Sequence, residues 1–445
     1  MPVKSRLFVS QTKNVMHREL ANLFALLKSI GLFSNYPLII KTYIEIAEVY
    51  QKNNAYGKAL HYYKLALRFQ DKYLPNNPIQ KVGLFSLLGD LYFLQKDKDL
   101  GLDCYLNALT LLRKYDPNKN NHIEYLLKIG RLYYNNNKMG KALLLFHEAL
   151  QILTSCKNKQ DFLYIAIAYD FLGKIYLAMH DFKHANYYFV KCLEIQTEFK
   201  LFAEIADTYD NFGDLALLEN KLTAASINYN FALDIRKGLN LSSAFLAKSY
   251  HNLGKLCKAN KEFEKAITNL NLALKFMNTS SAFSLELALT YRELADVYYA
   301  LTQDKSQQSL LTRTHRLHFS YLKKVIFILN LIDPKGDLII ECFQEMGIYY
   351  KSYNLLQESL KNFLKAINYQ EINMRDSPKL ANNYEHIADI YVEQKRTSLA
   401  LKYYIRAYDI KKIFVAENVT TVELKQLETK IHQQQANNST KAYFI

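Results

Sequence analysis

A small residue returns along this chain at positions 47, 89, 130, 173, 213, 254, 295, 347 and 388, with spacings of 42, 41, 43, 40, 41, 41, 52 and 41. Each is Gly or Ala, and other residues keep fixed offsets from it. In the first three units the residue three on is Tyr50, Tyr92 and Tyr133. Twelve on stand Ala59, Gly101 and Ala142, and sixteen on Tyr63, Tyr105 and Phe146. Nineteen on stand Ala66, Ala108 and Ala149. The frame continues through Ala185, Phe189 and Cys192, then Ala225, Tyr229 and Ala232, and reaches Ala400, Tyr404 and Ala407. Nine units on one period exclude a single globular core. Each unit is too small to bury its own apolar face, so successive units stack and share a continuous core.

Within each half-unit apolar residues recur three and four apart, which places them on one helical face. Asn53-Asn54 and Asn135-Asn136-Asn137 fall between the halves and supply turns. With only 13 Gly and 7 Pro in 445 residues, the chain lacks the turn residues a sheet-rich fold needs. Gly or Ala at two offsets lets paired helices approach closely, and the aromatics fill the space beside them. The expected fold is all-α, an α-solenoid of about nine helix-turn-helix repeats with capping helices.

This pattern resembles the tetratricopeptide repeat family over roughly Lys41 to Lys411. The period exceeds the family's roughly 34 residues. The family's proline after the second helix is missing at Asp71, Arg113 and Thr154, so longer helices or linkers are expected. Tyr209-Asp210-Asn211-Phe212-Gly213 and Tyr250-His251-Asn252-Leu253-Gly254 resemble the first-helix signature of the kinesin-light-chain-like branch. The resemblance implies a right-handed superhelix, with repeats starting near 41, 83, 124, 167, 207, 248, 289, 341 and 382. Residues 1–40 form an N-terminal segment with a capping helix over Arg18–Ile30, and residues 41–411 the array. Residues 412–445 form a last helix over Thr421–Gln435, with Val422 and Leu427 facing inward, and a flexible tail from Ala436. The long seventh unit has an insertion at about 301–316, with its second helix resuming near Leu317.

The formal net charge of +15 comes from scattered charges with no long block, the pattern of solvated outer helix faces. Five cysteines without a C-x-x-C pair indicate a reducing compartment rather than a disulfide framework or zinc ribbon. No apolar run approaches the roughly 18 residues a membrane span requires. A cytoplasmic location is expected. Lys4, Arg6, Lys13 and Arg18, without an acid among them, also fit a mitochondrial presequence, and an effector secreted into a host cytosol is a further alternative.

No catalytic constellation emerges, and no cofactor or metal is expected. Gly140-Lys141 has Asn135 where a phosphate loop needs glycine. His180 and His184 have helical ligand spacing but fall on a turn, and His315 and His318 lie in or beside the insertion. Tyr50, Tyr92, Tyr133 and Tyr391 occupy packing positions, leaving Tyr134 and Tyr299 as unassigned aromatics.

In the family the first helix of each repeat lines the concave groove. The resemblance therefore puts exposed positions three before, two before and one after the small residue. Asn211 and Asn252, two before, have the donors and acceptor to pair with an extended peptide backbone. Arg131, Lys174, Lys255 and Arg292 would hold acidic ligand groups, and Asp210 and Asp214, with Asp170, basic ones. The Lys/Asn/Asn/Lys/Arg clamp for chaperone C-termini is not complete in adjacent units. The expected function is a non-enzymatic scaffold or adaptor binding a partner peptide or helix. A basic nucleic-acid or anionic-surface binder and a peptide-sensing regulator are the alternatives.

Overall fold

The computed structural model describes residues 3–30, 35–95, 97–153, 159–277, 284–303, 311–332, 337–372, 377–414 and 421–442. Twenty helices account for nearly all of them, and no strand occurs among the described residues. They form two compact units, Met1–Glu219 and Asn220–Ile445.

Unit 1 opens with α1 (Val3–Ile30) and continues as four hairpins: α2 (Tyr36–Lys52) with α3 (Tyr56–Tyr73), α4 (Gln80–Leu94) with α5 (Lys98–Tyr115), α6 (Asn120–Asn135) with α7 (Met139–Leu153), and α8 (Lys159–Ala178) with α9 (Phe182–Glu198). It closes with α10 (Phe202–Leu218), the first helix of the fifth repeat. Unit 2 opens with α11 (Leu222–Gly238). Its hairpins are α12 (Ser243–Ala259) with α13 (Phe263–Met277), α14 (Leu285–Gln303) with α15 (Leu311–Ile332), α16 (Asp337–Ser352) with α17 (Leu356–Ile372), and α18 (Pro378–Glu393) with α19 (Thr397–Ile413). The last helix, α20 (Thr421–Ala442), packs on α19. Longer helices take up part of the extended period, up to 20 residues in α8 and 22 in α15.

Six of the hairpins close the same way. The residue seven on from the small residue is left-handed: Asn54, Asn137 and His180 in unit 1, and Lys261, Asn354 and Lys395 in unit 2, with φ of 57–59°. A side chain there costs about 1–2 kcal/mol. Schellman bonds offset it, running from the N–H of Ala55 to Tyr50 O (2.9 Å), Asp181 to Tyr176 O (2.9 Å) and Arg396 to Tyr391 O (2.8 Å). Side-chain caps start several helices, with Asp97, Asp181 and Ser377 accepting from the N–H of Leu100, His184 and Leu380.

The small residue is where the two helices of a hairpin touch. A Cβ on Gly89 would stand 2.9 Å from Tyr105, on Gly130 2.9 Å from Phe146, and on Gly254 2.6 Å from Leu270. Gly173 meets Phe189 more tightly still. Around these contacts Ala59, Ala142, Ala185, Ala266 and Ala400 are fully buried. Within each unit the first helices of successive repeats also touch, α6 with α8 and α8 with α10 in unit 1, and α12 with α14 in unit 2. Second helices make no comparable contact with one another among the described residues. The first-helix side is therefore the inner side of each stack.

Four sequence expectations need correction. In the seventh repeat the second helix starts at Leu311 rather than near Leu317, and the part of the insertion at 304–310 lies outside the described residues. Tyr321 there stacks on Tyr298 (5.6 Å) and lies 5.8 Å from Tyr291, as Tyr62 does with Tyr50 (5.6 Å) and Tyr43 (6.2 Å) in the first repeat. That match puts the extra residues before His318. At the C-terminus α20 runs on through Ala442, where a flexible tail was expected from Ala436. Its Leu427 is fully buried, but Val422 is exposed rather than inward, one turn before the helix settles onto α19. At the N-terminus helix α1 begins at Val3, well before Arg18, and buries Leu20 and Ile30.

Candidate functional site

The residues singled out for ligand contact all lie on first helices, but they differ in what already holds them. In unit 1 Asn211, on α10, donates from Nδ2 to Asp170 Oδ1 on α8 at 2.7 Å. The other oxygen of Asp170 takes Lys174 Nζ at 2.7 Å. One carboxylate thus neutralises Lys174 and satisfies Asn211. Asp210, which is buried, and the partly buried Asp214 are also engaged in interactions.

Arg131, on α6, is exposed and has no carboxylate within ion-pair distance among the described residues. Its guanidinium lies over the ring of Phe171, 5.4 Å from the centroid, and Lys174 lies over the same ring at 5.2 Å. Phe171 is stacked on Phe146 (5.2 Å, 6°) and meets the edge of Tyr134 at 5.6 Å. Burial, followed by the charges of Asp170 and Asp214, pushes the Tyr134 hydroxyl up, so it stays protonated.

In unit 2 the inner face is tied by ions. Arg292 pairs with Asp296 at 3.0 Å and with Glu345 on the next first helix. Burial alone would lower the Arg292 pKa, but the two carboxylates outweigh it and raise it. Lys258 reaches Glu293 at 2.5 Å and Asp296 at 3.5 Å. Lys351 reaches Asp389 at 3.4 Å. Glu385 receives Lys411 (2.9 Å) and Lys430 of α20 (2.8 Å), and Lys430 also meets Asp389 (3.3 Å). Burial would raise the Glu385 and Asp389 carboxyls, but these donors together with Tyr404 hold both below the usual carboxylate range. Lys255 is engaged as well. Asn252 differs from all of these. It is 6% exposed, and its side chain makes no hydrogen bond within the chain among the described residues.

The histidines serve the hairpins. His180 is the left-handed turn residue between α8 and α9, so it does not share a helix with His184. His184 Nδ1 lies 2.7 Å from Asp181 Oδ2. His318 stands in place of the second small residue and donates from Nδ1 to Ala295 O at 2.8 Å, as Ser359 Oγ does to Gly347 O at 2.7 Å. No group of three metal-ligating side chains occurs among the described residues. Cys104, Cys192, Cys257 and Cys342 are free, and Cys156 lies outside the described residues.

The sequence reading missed Phe171 and the ionic ladder of Glu385, Lys411 and Lys430. The signal for Phe171 was present: it stands two before Gly173, where the next two repeats have Asn211 and Asn252.

A family model described as tetratricopeptide repeat matches residues 247–276 and 381–413, the hairpins α12–α13 and α18–α19. These two hairpins are tetratricopeptide repeats. Among solved structures it is similar to the apo form of the quorum sensor NprR from B. thuringiensis, with 18% identity, 70% of this chain and 84% of that one covered, and a TM-score of 0.50. It is also similar to a signal transduction ATPase with numerous domains and a tetratricopeptide repeat sensor from Pyrococcus horikoshii, with 16% identity, 86% of this chain and 54% of that one covered, and a TM-score of 0.50. At such identities the likeness is one of fold. No curated protein matches the chain. No helix among the described residues is long and apolar enough to cross a membrane.

Proposed function

We propose that this tetratricopeptide-repeat protein is a non-enzymatic scaffold whose inner helix faces grip an extended or helical segment of a partner protein. The observation that carries this reading is Asn252. The residue is largely buried, its amide makes no hydrogen bond within the chain among the described residues, and a peptide backbone offers a donor and an acceptor for it. Asn211 is held by Asp170 and would have to exchange that contact for a ligand. Carboxylates already neutralise Lys174, Lys258, Arg292, Lys351, Lys411 and Lys430, which counts against a basic nucleic-acid surface.

The test is affinity capture from source-cell lysate at low and high salt, with nuclease, using wild type, Asn252→Ala and Asn211→Ala. A protein that survives salt and nuclease and is lost in folded Asn252→Ala is the expected result. Material released by salt or nuclease equally from all three forms would replace this reading with the electrostatic one.

A further inference from the structure

The face of α6 that looks onto α8 carries two donors that no acceptor among the described residues takes up. Arg131 has no acid partner, and the Tyr134 hydroxyl makes no hydrogen bond among the described residues. The two side chains stand three residues apart on one helix, so they share a face. Both lie against Phe171, Arg131 over its ring at 5.4 Å and Tyr134 edge-on at 5.6 Å. The neighbouring acid is occupied, since Asp170 already accepts from Lys174 and Asn211.

A guanidinium lying over an aromatic ring is held in orientation, which lowers the entropy lost when its fork of N–H donors meets a carboxylate. The ring beneath it limits water on one side, which strengthens a charge-assisted hydrogen bond. The partly exposed Phe171, backed by Phe146, also gives an apolar side chain beside that carboxylate a surface to cover.

We propose that Arg131 and Tyr134 receive a carboxylate of the partner segment, with Phe171 as its floor, so that unit 1 selects an acidic residue flanked by an apolar one. This rests on the peptide-binding reading above and adds which peptides are chosen. The carboxylate is a Glu or Asp side chain or a chain terminus, and the two sources are separable by experiment.

Nonapeptide libraries with randomised flanks are presented to the full chain and binding is measured by fluorescence anisotropy. One library has a central Glu and an amidated end, one a central Gln and an amidated end, and one a central Gln and a free C-terminus. A preference of about tenfold for a carboxylate library over the amidated Gln library is expected, and the library that shows it identifies the source. Arg131→Gln should abolish the preference, so that the carboxylate libraries bind no better than the amidated Gln library. Arg131→Lys should restore only part of it, and Tyr134→Phe should fall between. Arg131 is exposed, so these variants are expected to fold, and their thermal melts check that. Equal binding of all three libraries, or a preference that survives Arg131→Gln, overturns this proposal and leaves the scaffold reading standing. Failure of wild type to bind any peptide overturns both.

Discussion

The inner faces of the two units answer one structural problem with different chemistry. Two before and four after the small residue, unit 1 places Leu87, Phe93, Tyr134, Phe171, Leu177 and Leu217 beside Glu45, Gln51, Lys128 and Asn211, while unit 2 places Lys258, Glu293, Glu345 and Lys351 beside Asn252, Tyr299, His386 and Val392. In unit 1 α6 and α8 meet through rings, Tyr134 on Phe171, and α8 and α10 through Asn211 and Asp170, whereas in unit 2 first helices meet through ion pairs, as at Arg292 and Glu345. Ring contacts leave a nearby cation such as Arg131 without a counter-ion, whereas the ionic ladder engages most of its own. Repeat register fixes which positions face each other, but not whether those positions bind within the chain or stay open to a partner.

The sharpest way to break this comparison is to remove one rung of the ladder. Lys411 has a side chain only 6% exposed and takes its carboxylate from Glu385. Glu385→Ala would leave that ammonium buried and unpaired, a cost of about 3 kcal/mol in urea unfolding. Adding Lys411→Met should recover much of it. Removing the half-exposed Lys174 of unit 1 as Lys174→Met should cost less than about 1 kcal/mol. Equal losses from Glu385→Ala and Lys174→Met would erase the contrast. Acid should act as the mutation does. Glu385 and Asp389 are held below their ordinary range, so their contribution is complete above the unfolded values near 4 and is lost as pH falls through the lower folded ones. Hydrogen exchange in α18–α20 should therefore accelerate below about pH 4 more than in α6–α8.

A smaller effect is expected at the small-residue contact within a hairpin, a feature that recurs in each unit. Gly173→Leu would drive a side chain into Phe189 and cost about 1–3 kcal/mol in a thermal or urea melt. An unchanged melting temperature would mean that the hairpin does not depend on the close approach its period implies.

These predictions also separate what was legible in the sequence from what was not. The hairpins were legible because a small residue recurs where the facing helix presses, and where Phe146 or Leu270 does so it is Gly, since a Cβ would stand within 3.0 Å of either side chain. The left-handed position was not read as an offset, because Asn54, His180 and Lys261 share no residue type. Nor was His318 read as a hairpin residue, since the insertion displaces it from its offset and it bonds a carbonyl where most other repeats place alanine. The fate of the groove candidates was least legible. Whether Arg292 meets Glu345 or a ligand depends on the stagger of helices some fifty residues apart, which residue types and spacing within one repeat do not encode.

The smallest effects belong to the two asparagines, which the sequence places at one offset and the structure treats differently. Asn211→Ala removes a donor from Asp170 and should cost about 1 kcal/mol. Asn252→Ala removes no bond within the chain and should stay within about 0.5 kcal/mol of wild type. Matched urea melts decide between them. If the two variants lose the same amount, Asn252 has a structural role after all and its amide is not open to a partner. If Asn252→Ala is silent, any binding it loses reports on contact with the partner rather than on a weakened fold.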